Sequence, residues 1–202
     1  MSLFATLDDL KAATESKGSK NMFLTIKAND SKKIRFRQEL PVVGMEGADS
    51  LARIVRVHTN DDDYRKRTAC TRHLDDADGR CFGCERDFYA VQHLVINVAL
   101  LDTETGLWES RLLDQKFSAA HVGRTLVEYC EEFGSIVDRV YRLSRTGEQR
   151  QTNYTLIPTE KSELPSEIED LEMFDVTRTY PELSYEKQVE VHSGADDSAD
   201  IM

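Results

Sequence analysis

The chain reads as a mainly β protein: a small antiparallel barrel with a metal-binding insertion, one helix before its last hairpin, and an acidic C-terminal region. Three observations predict this. Short runs of alternating or β-branched residues follow one another with turn signals between them. Few helical patterns separate those runs, which argues against a parallel doubly wound sheet. A cysteine-dense loop, CTRHLDDADGRCFGC from Cys70 to Cys84, interrupts the series.

The elements follow in order. Residues 1–20 form an N-terminal arm in which Leu3, Leu7 and Leu10 have the spacing of a short amphipathic helix, followed by a Ser/Gly/Lys linker. Met22–Lys27 and Lys33–Leu40 read as strands separated by the turn signal Asn29-Asp30-Ser31, and Leu51–Val57 alternates. Leu94–Leu101 is strongly apolar, and Asp102 to Gly106 turns it into Leu107–Leu113. Phe117–Phe133 has helical spacing at Val122, Leu126, Tyr129 and Phe133, with Gly134 as its stop. Val137–Ser144 and Asn153–Pro158 make a final hairpin around Thr146-Gly147-Glu148. Five to seven strands with one late helix fit a five-stranded barrel of the oligonucleotide-binding type. Its core spans residues 21–158, with the metal insertion at about 58–90. After Pro158 the pattern fades into an acidic region, 159–202. There Pro181–Val191 has helical character, and the terminal GADDSADIM is expected to be disordered.

Cys81-Phe82-Gly83-Cys84 is a C-x₂-C knuckle, the spacing that lets two thiolates of one tight turn bind the same tetrahedral ion. Gly83 is expected to supply a loose φ angle there. Cys70 lies upstream across a polar loop and can return to the same ion. Cys130 sits in the helical pattern and reads as a small buried apolar residue, so the fourth ligand must be a histidine. His73, three residues after Cys70, and His58, twelve residues before it, both qualify. Local spacing favours His73, because C-x₂-H is a compact knuckle. His93 and His121 read as structural. Four protein ligands leave no position open to water, so the expected cofactor is a structural Zn²⁺. The deaminase signature, H-x-E followed by P-C-x-x-C, is absent. A redox C-x-x-C pair normally opens a helix in a βαβ setting, which these strands do not provide. No enzyme is expected.

No run of 18 apolar residues exists, and residues 1–20 carry acids where a signal peptide would be cationic, so no membrane partner is expected. Cysteines clustered as metal ligands point to a reducing cytoplasm. The formal net charge is −11, but it is unevenly spread. From Thr159 onward thirteen acidic residues face only Lys161, Arg178 and Lys187, a net of −10, which leaves the first 158 residues at −1.

Within those residues the cations collect. Lys32, Lys33, Arg35 and Arg37 share one stretch, and Arg53 and Arg56 another. Tyr64, Arg65, Lys66 and Arg67 lead into the cysteine loop, which holds Arg72. Arg139, Tyr141, Arg142 and Arg145 follow later. Strand alternation puts Arg35 and Arg37 opposite Ile34 and Phe36, giving the sheet a cationic side. Phosphates need cations and unstacked bases need flat π surfaces. Tyr64, Tyr141, Tyr154 and Trp108, with Arg111 on the same return strand as Trp108, are the expected partners for single-stranded nucleic acid.

His58, Cys70, Cys81 and Cys84, with a basic–aromatic stretch between the first two, resemble the zinc-bearing single-stranded DNA-binding proteins of tailed bacteriophages. The resemblance extends through Leu94–Leu101, the return strand with Trp108, the Arg139–Pro158 hairpin and the acidic tail, about residues 22–202. It implies an oligonucleotide-binding fold whose zinc subdomain overhangs a DNA cleft. It implies His58, from an upstream strand, as fourth ligand, with His73 unligated. It further implies a protein that coats single-stranded DNA in phage replication, recombination or repair, in the cytoplasm of the infected bacterial host, with self-association along the strand. The acidic tail would recruit replication or recombination proteins and cover the cleft when DNA is absent. The family's basic N-terminal cooperativity motif is not matched by residues 1–20, where acids come first and Lys17 and Lys20 only later. The competing expectation is a zinc-stabilised protein–protein adaptor with no nucleic-acid role.

Overall fold

A computed structural model describes residues 22–41, 51–72, 80–117, 122–148 and 151–193. Its elements are β1 (Asp30–Phe36), β2 (Arg53–Thr59), β3 (Arg67–Ala69), α1 (Phe82–Glu85), β4 (Tyr89–Leu101), β5 (Trp108–Lys116), α2 (Val122–Phe133), β6 (Arg139–Thr146), β7 (Asn153–Lys161), α3 (Ser166–Glu169), a 3₁₀ turn at Val176–Arg178, and α4 (Tyr185–Ser193).

The thirteen-residue β4 organises the sheet. One edge pairs first with β2, Tyr89 opposite Thr59 through Val95 opposite Arg53, and then with β1, Val98 opposite Phe36. The other edge pairs with β5 from His93 to Leu101. Beyond β1 lie β6 and β7, and beyond β2 lies β3, all antiparallel. Seven strands are therefore present among the described residues, rather than five. Among the described residues no pairing returns β7 or β5 to β3, so the strand pairing describes an open sheet. The metal insertion adds to this sheet instead of looping off it, through β3, a three-residue strand too short to leave a periodic signal. The stretch 22–27 forms no regular strand. Phe23 instead makes an isolated parallel bridge to Leu112.

β4 reads as a near-continuous apolar run because both of its faces are covered. Leu94, Ile96 and Val98 enter one core with Ile34, Phe36, Leu113, Tyr141 and Leu143. α2 closes that core with Val122 and Leu126, and Tyr129 donates to the Leu156 carbonyl at 2.9 Å. Gly134, at φ +76°, ends the helix as its spacing predicts, donating its N–H to the Cys130 carbonyl. Val95 points the other way, into a second core with Val55, Val57, Ala69 and Leu112. Val176 and Tyr180 complete it, both from the region expected to be a separate acidic tail.

That expectation is corrected here. β7 runs on to Lys161, and residues 162–193 then cross the outer face of the sheet as a strap. Ile168 is fully buried, while Glu163, Glu167, Glu169, Asp170 and Glu172 face solvent. Between its short helices the strap has no regular structure, so its backbone there must find partners elsewhere. Sheet side chains supply them. Arg35 is 2% exposed and donates to the carbonyls of Val137, Ser162 and Glu163 at 2.8–3.0 Å, and to the Ser162 hydroxyl. Arg37 reaches the Leu171 and Glu169 carbonyls, and Arg53 donates to those of Thr177 and Tyr180 at 2.9 and 2.7 Å. Asn97, buried in β4, exchanges two hydrogen bonds with the Phe174 backbone. The stretch read as a cationic face is thus the floor of the strap.

Two outcomes follow for denaturation and solubility. Ending the chain at Thr159 should expose the Val55–Leu112 core and give insoluble or unfolded protein, whereas ending it at Ser193 should leave the melting curve unchanged. Arg35→Met should cost about 1–3 kcal/mol by urea titration, since it removes the donor to the part-buried carbonyls of Val137, Ser162 and Glu163.

Candidate metal centre and basic–aromatic surface

His58, Cys70, Cys81 and Cys84 offer four ligand atoms that all lie within 4.8 Å of one another, and they could hold a metal ion. Each is placed by a different local rule. His58 sits on β2 and is 2% exposed. Its Nδ1 faces the Phe88 carbonyl at 3.2 Å, and a carbonyl only accepts, so Nδ1 keeps the proton and Nε2 turns its lone pair to the cluster. Cys70 follows β3, anchored by its N–H on the Arg56 carbonyl at 2.7 Å. Cys81 opens the single turn of α1 and Cys84 lies within it, so one turn aims both thiols.

Three thiols and an imidazole form a soft donor set suited to a tetrahedral ion. With metal–sulfur bonds of about 2.3 Å, two sulfurs of such a tetrahedron stand about 3.8 Å apart. The Sγ atoms of Cys70 and Cys84 are 3.7 Å apart, and Cys84 Sγ lies 3.3 Å from His58 Nε2. The residues fit the group. Burial holds His58 below the usual imidazole range, hence neutral. Burial, with Cys70 and Cys81 beside it, pushes the Cys84 thiol up to about 12, a proton that an ion must displace. His73 lies outside the described residues.

Gly83 has a different reason from the one its motif suggests. Its φ is not positive; instead, a Cβ there would stand 2.4 Å from the His58 ring. The glycine is the space in which the imidazole sits.

The strap seals this lobe. Gln188, fully buried on α4, accepts from the Phe82 N–H at 3.1 Å and lies 3.4 Å from Cys81 Sγ. Its amide nitrogen donates to the Thr71 hydroxyl and the Leu183 carbonyl, so all of that buried amide is used. His192 contacts the Thr68 hydroxyl at 3.0 Å and stacks near Phe82 and Phe88. The guanidinium of Arg80 lies over Tyr185, which bonds Glu85. None of these roles is visible in the cysteine spacing. Tyr185, Gln188 and His192 share an inward helix face that is polar, so no apolar periodicity marks it.

Of the residues read as nucleic-acid contacts, several are held within the fold. Arg35 and Arg37 hold the strap. Tyr141 is fully buried, edge-on to Phe36 at 5.1 Å, its phenol pushed well above the usual range by burial. Arg139 is 8% exposed, paired with Asp138 at 2.7 Å and stacked on Phe133. Arg111 pairs with Glu109, Lys32 with Asp30, and Arg145 donates to the Ile26 carbonyl. Tyr154 packs half-buried against the main core, and Trp108 is half-buried opposite Leu101. Lys66 turns to the His192 carbonyl at 3.5 Å.

Exposed are Lys33, Arg56, Tyr64, Arg65, Arg67, Arg72 and Arg142. Lys33 and Arg142 stand opposite each other on β1 and β6, away from the metal lobe. The others belong to the lobe end of the sheet. There Arg67, Thr59 and Tyr89 form one cross-strand row over β3, β2 and β4. Tyr89 is 61% exposed, with the Lys116 ammonium 5.8 Å from its ring centre. Tyr64, 70% exposed, lies in the tip joining β2 to β3, with Arg65 beside its ring. Asp63 contacts Arg65 at 3.4 Å, an exposed pair that yields readily to another anion. Arg67 also reaches the Tyr180 hydroxyl at 3.5 Å, which donates to Asp114, itself paired with His93. Tyr89 and Lys116 carry no motif; only the strand register brings them to this row.

Gly83→Ala, which removes no ligand, should lower bound metal by elemental analysis nearly as far as Cys81→Ser, because its methyl displaces the His58 ring. Acidification returns protons to the thiols and should release the metal as pH falls; retention that stays flat to pH 4 would contradict the ligand set.

No family model, curated protein sequence or solved structure matches the chain.

Proposed function

We propose that the protein is a non-catalytic single-stranded DNA-binding protein of phage DNA replication or recombination, acting in the host cytoplasm, with a structural zinc at His58, Cys70, Cys81 and Cys84. The observation that carries this reading is the row of Arg67, Thr59 and Tyr89 beside Tyr64, Arg65 and Lys116, where two exposed aromatic rings stand among cations at the metal-lobe end of the sheet. Bases stack on rings and phosphates pair with cations, the combination that holds a single strand without reading its sequence. Arg56 and Arg72 extend the cationic surface around the lobe. The ion's role is then mechanical: it ties β2, the end of β3 and α1 together beneath that surface. The oligonucleotide-binding barrel belongs to the same reading.

The competing tail shrinks in this reading to residues 194–202, which include Asp196, Asp197 and Asp200. In the sequence they follow α4, whose His192 carbonyl takes the Lys66 ammonium at 3.5 Å. The acidic outer surface of the strap is where recruited proteins would bind. An adaptor without nucleic-acid binding shares that surface and differs only in leaving the aromatic row idle.

Titration of a fluorescent oligo-dT decides between them. Tyr64→Ala and Tyr89→Ala should each cost about 1–3 kcal/mol of binding, and Arg67→Ala with Lys116→Ala should lower the salt slope by about 0.7 per lost phosphate contact. Ending the chain at Ser193 should tighten binding, chiefly below about 0.15 M salt, where the Debye length exceeds roughly 8 Å. No binding by the folded, metal-loaded protein would overturn the reading in favour of the adaptor.

A further inference from the structure

Several cations of the sheet are neutralised by an acid close by in sequence: Arg139 by Asp138, Arg111 by Glu109 and Lys32 by Asp30. Arg67 is different. Among the described residues it pairs with no carboxylate; its Nε donates to the Tyr64 carbonyl at 3.0 Å and its Nη1 to the Tyr180 hydroxyl at 3.5 Å. Two of its five N–H donors are so engaged, and the others remain on an exposed side chain.

A carboxylate is nevertheless near. Asp114 lies behind Tyr180, whose hydroxyl donates to its Oδ2 at 2.6 Å. Burial, with Asp114 beside it, pushes the Tyr180 phenol well above its usual range, so the proton stays on the hydroxyl. That hydroxyl gives its proton to Asp114 and a lone pair to Arg67, and a neutral group thus stands between cation and acid. Tyr180 is itself fixed. Its carbonyl accepts from Arg53 Nη1 at 2.7 Å, its ring lies edge-on to His93 at 5.4 Å, and it is 6% exposed. A long side chain that leans on a fixed post has fewer rotamers to lose when it meets a ligand.

We propose that Tyr180 is a positioning residue of the single-strand surface: its hydroxyl aims the Arg67 guanidinium at a phosphate and keeps Asp114 from neutralising it. This rests on the reading of the row as a nucleic-acid surface, and it gives the strap a part in that surface. Oligo-dT titration across a salt series tests it, with the melting curve and metal content of each variant measured alongside. Tyr180→Phe keeps the ring and removes only the hydroxyl. It should weaken binding about fivefold, the worth of one typical hydrogen bond. The salt slope should fall by about 0.7, because Arg67 turns from the phosphate to Asp114. In an Arg67→Ala background the same change should do nothing more. Adding Asp114→Asn to Tyr180→Phe should restore the slope, which a loss of packing would not do. Arg67→Lys, which leaves the buried groups untouched, keeps the charge without the fork and should also weaken binding about fivefold. Full affinity in Arg67→Lys would overturn the proposal, as would an equal loss from Tyr180→Phe with and without Arg67. A parent protein that binds while Tyr180→Phe changes neither affinity nor slope would overturn this inference alone; a parent that does not bind would overturn the reading of the surface as well.

Discussion

Side chains of a sheet hydrogen-bonding the main chain of an irregular strap is the interaction on which this fold depends. Outside its short helices the strap carries carbonyls and amides that burial would leave unpaired, each at a cost of about 1–3 kcal/mol. Arg35, Arg37, Arg53 and Asn97 meet that need from below. Arginine suits the task because its planar fork presents several donors and keeps its charge when dehydrated. Once the strap is held, Val176 and Tyr180 cover Val95, and β4 can be apolar on both faces. Without it half of the central strand would face water.

The same arginines show where a sequence misleads. A cation on a strand reads as a solvent or phosphate contact, because nothing in its neighbours reveals a carbonyl more than a hundred residues away. Arg35 lies 127 residues from Ser162 in the chain. Its partners are backbone atoms, which every residue has, so no complementary residue type marks them. The alternation that placed Arg35 and Arg37 opposite Ile34 and Phe36 is correct; the identity of the outer layer was beyond it. The acidic composition of the strap likewise suggests a tail, although its acids are only the outward half of a segment whose Ile168, Val176 and Tyr180 point inward.

What the sequence does carry is local chemistry. The C-x₂-C knuckle and the return of Cys70 lead to the three thiols of the cluster found, because ligand spacing is a short-range property; local spacing favours His73, and the family resemblance implies His58. α2 and its glycine stop are legible for the same reason, as is the β4–β5 hairpin. Gly83 was correct as a requirement and wrong in its cause, since a ring packed from another strand leaves no trace in neighbouring residues. Gln188 and His192 were out of reach: polar side chains on an inward helix face look like solvent-facing ones.

The contact between Cys81 and Gln188 spans 107 residues of chain, and its order of appearance during synthesis matters. A ribosome adds about 5–20 residues each second, so the four ligands are complete roughly 5–20 s before α4 exists to cover them. Throughout that interval the nascent lobe is open to ions and to oxidants alike. The helix that finally closes over it is the last described element to be made. Metal capture by the emerging chain, followed by closure, is the order that the arrangement favours. In the finished protein Gln188 of α4 stands against Cys81, so reloading from that side requires the helix to move.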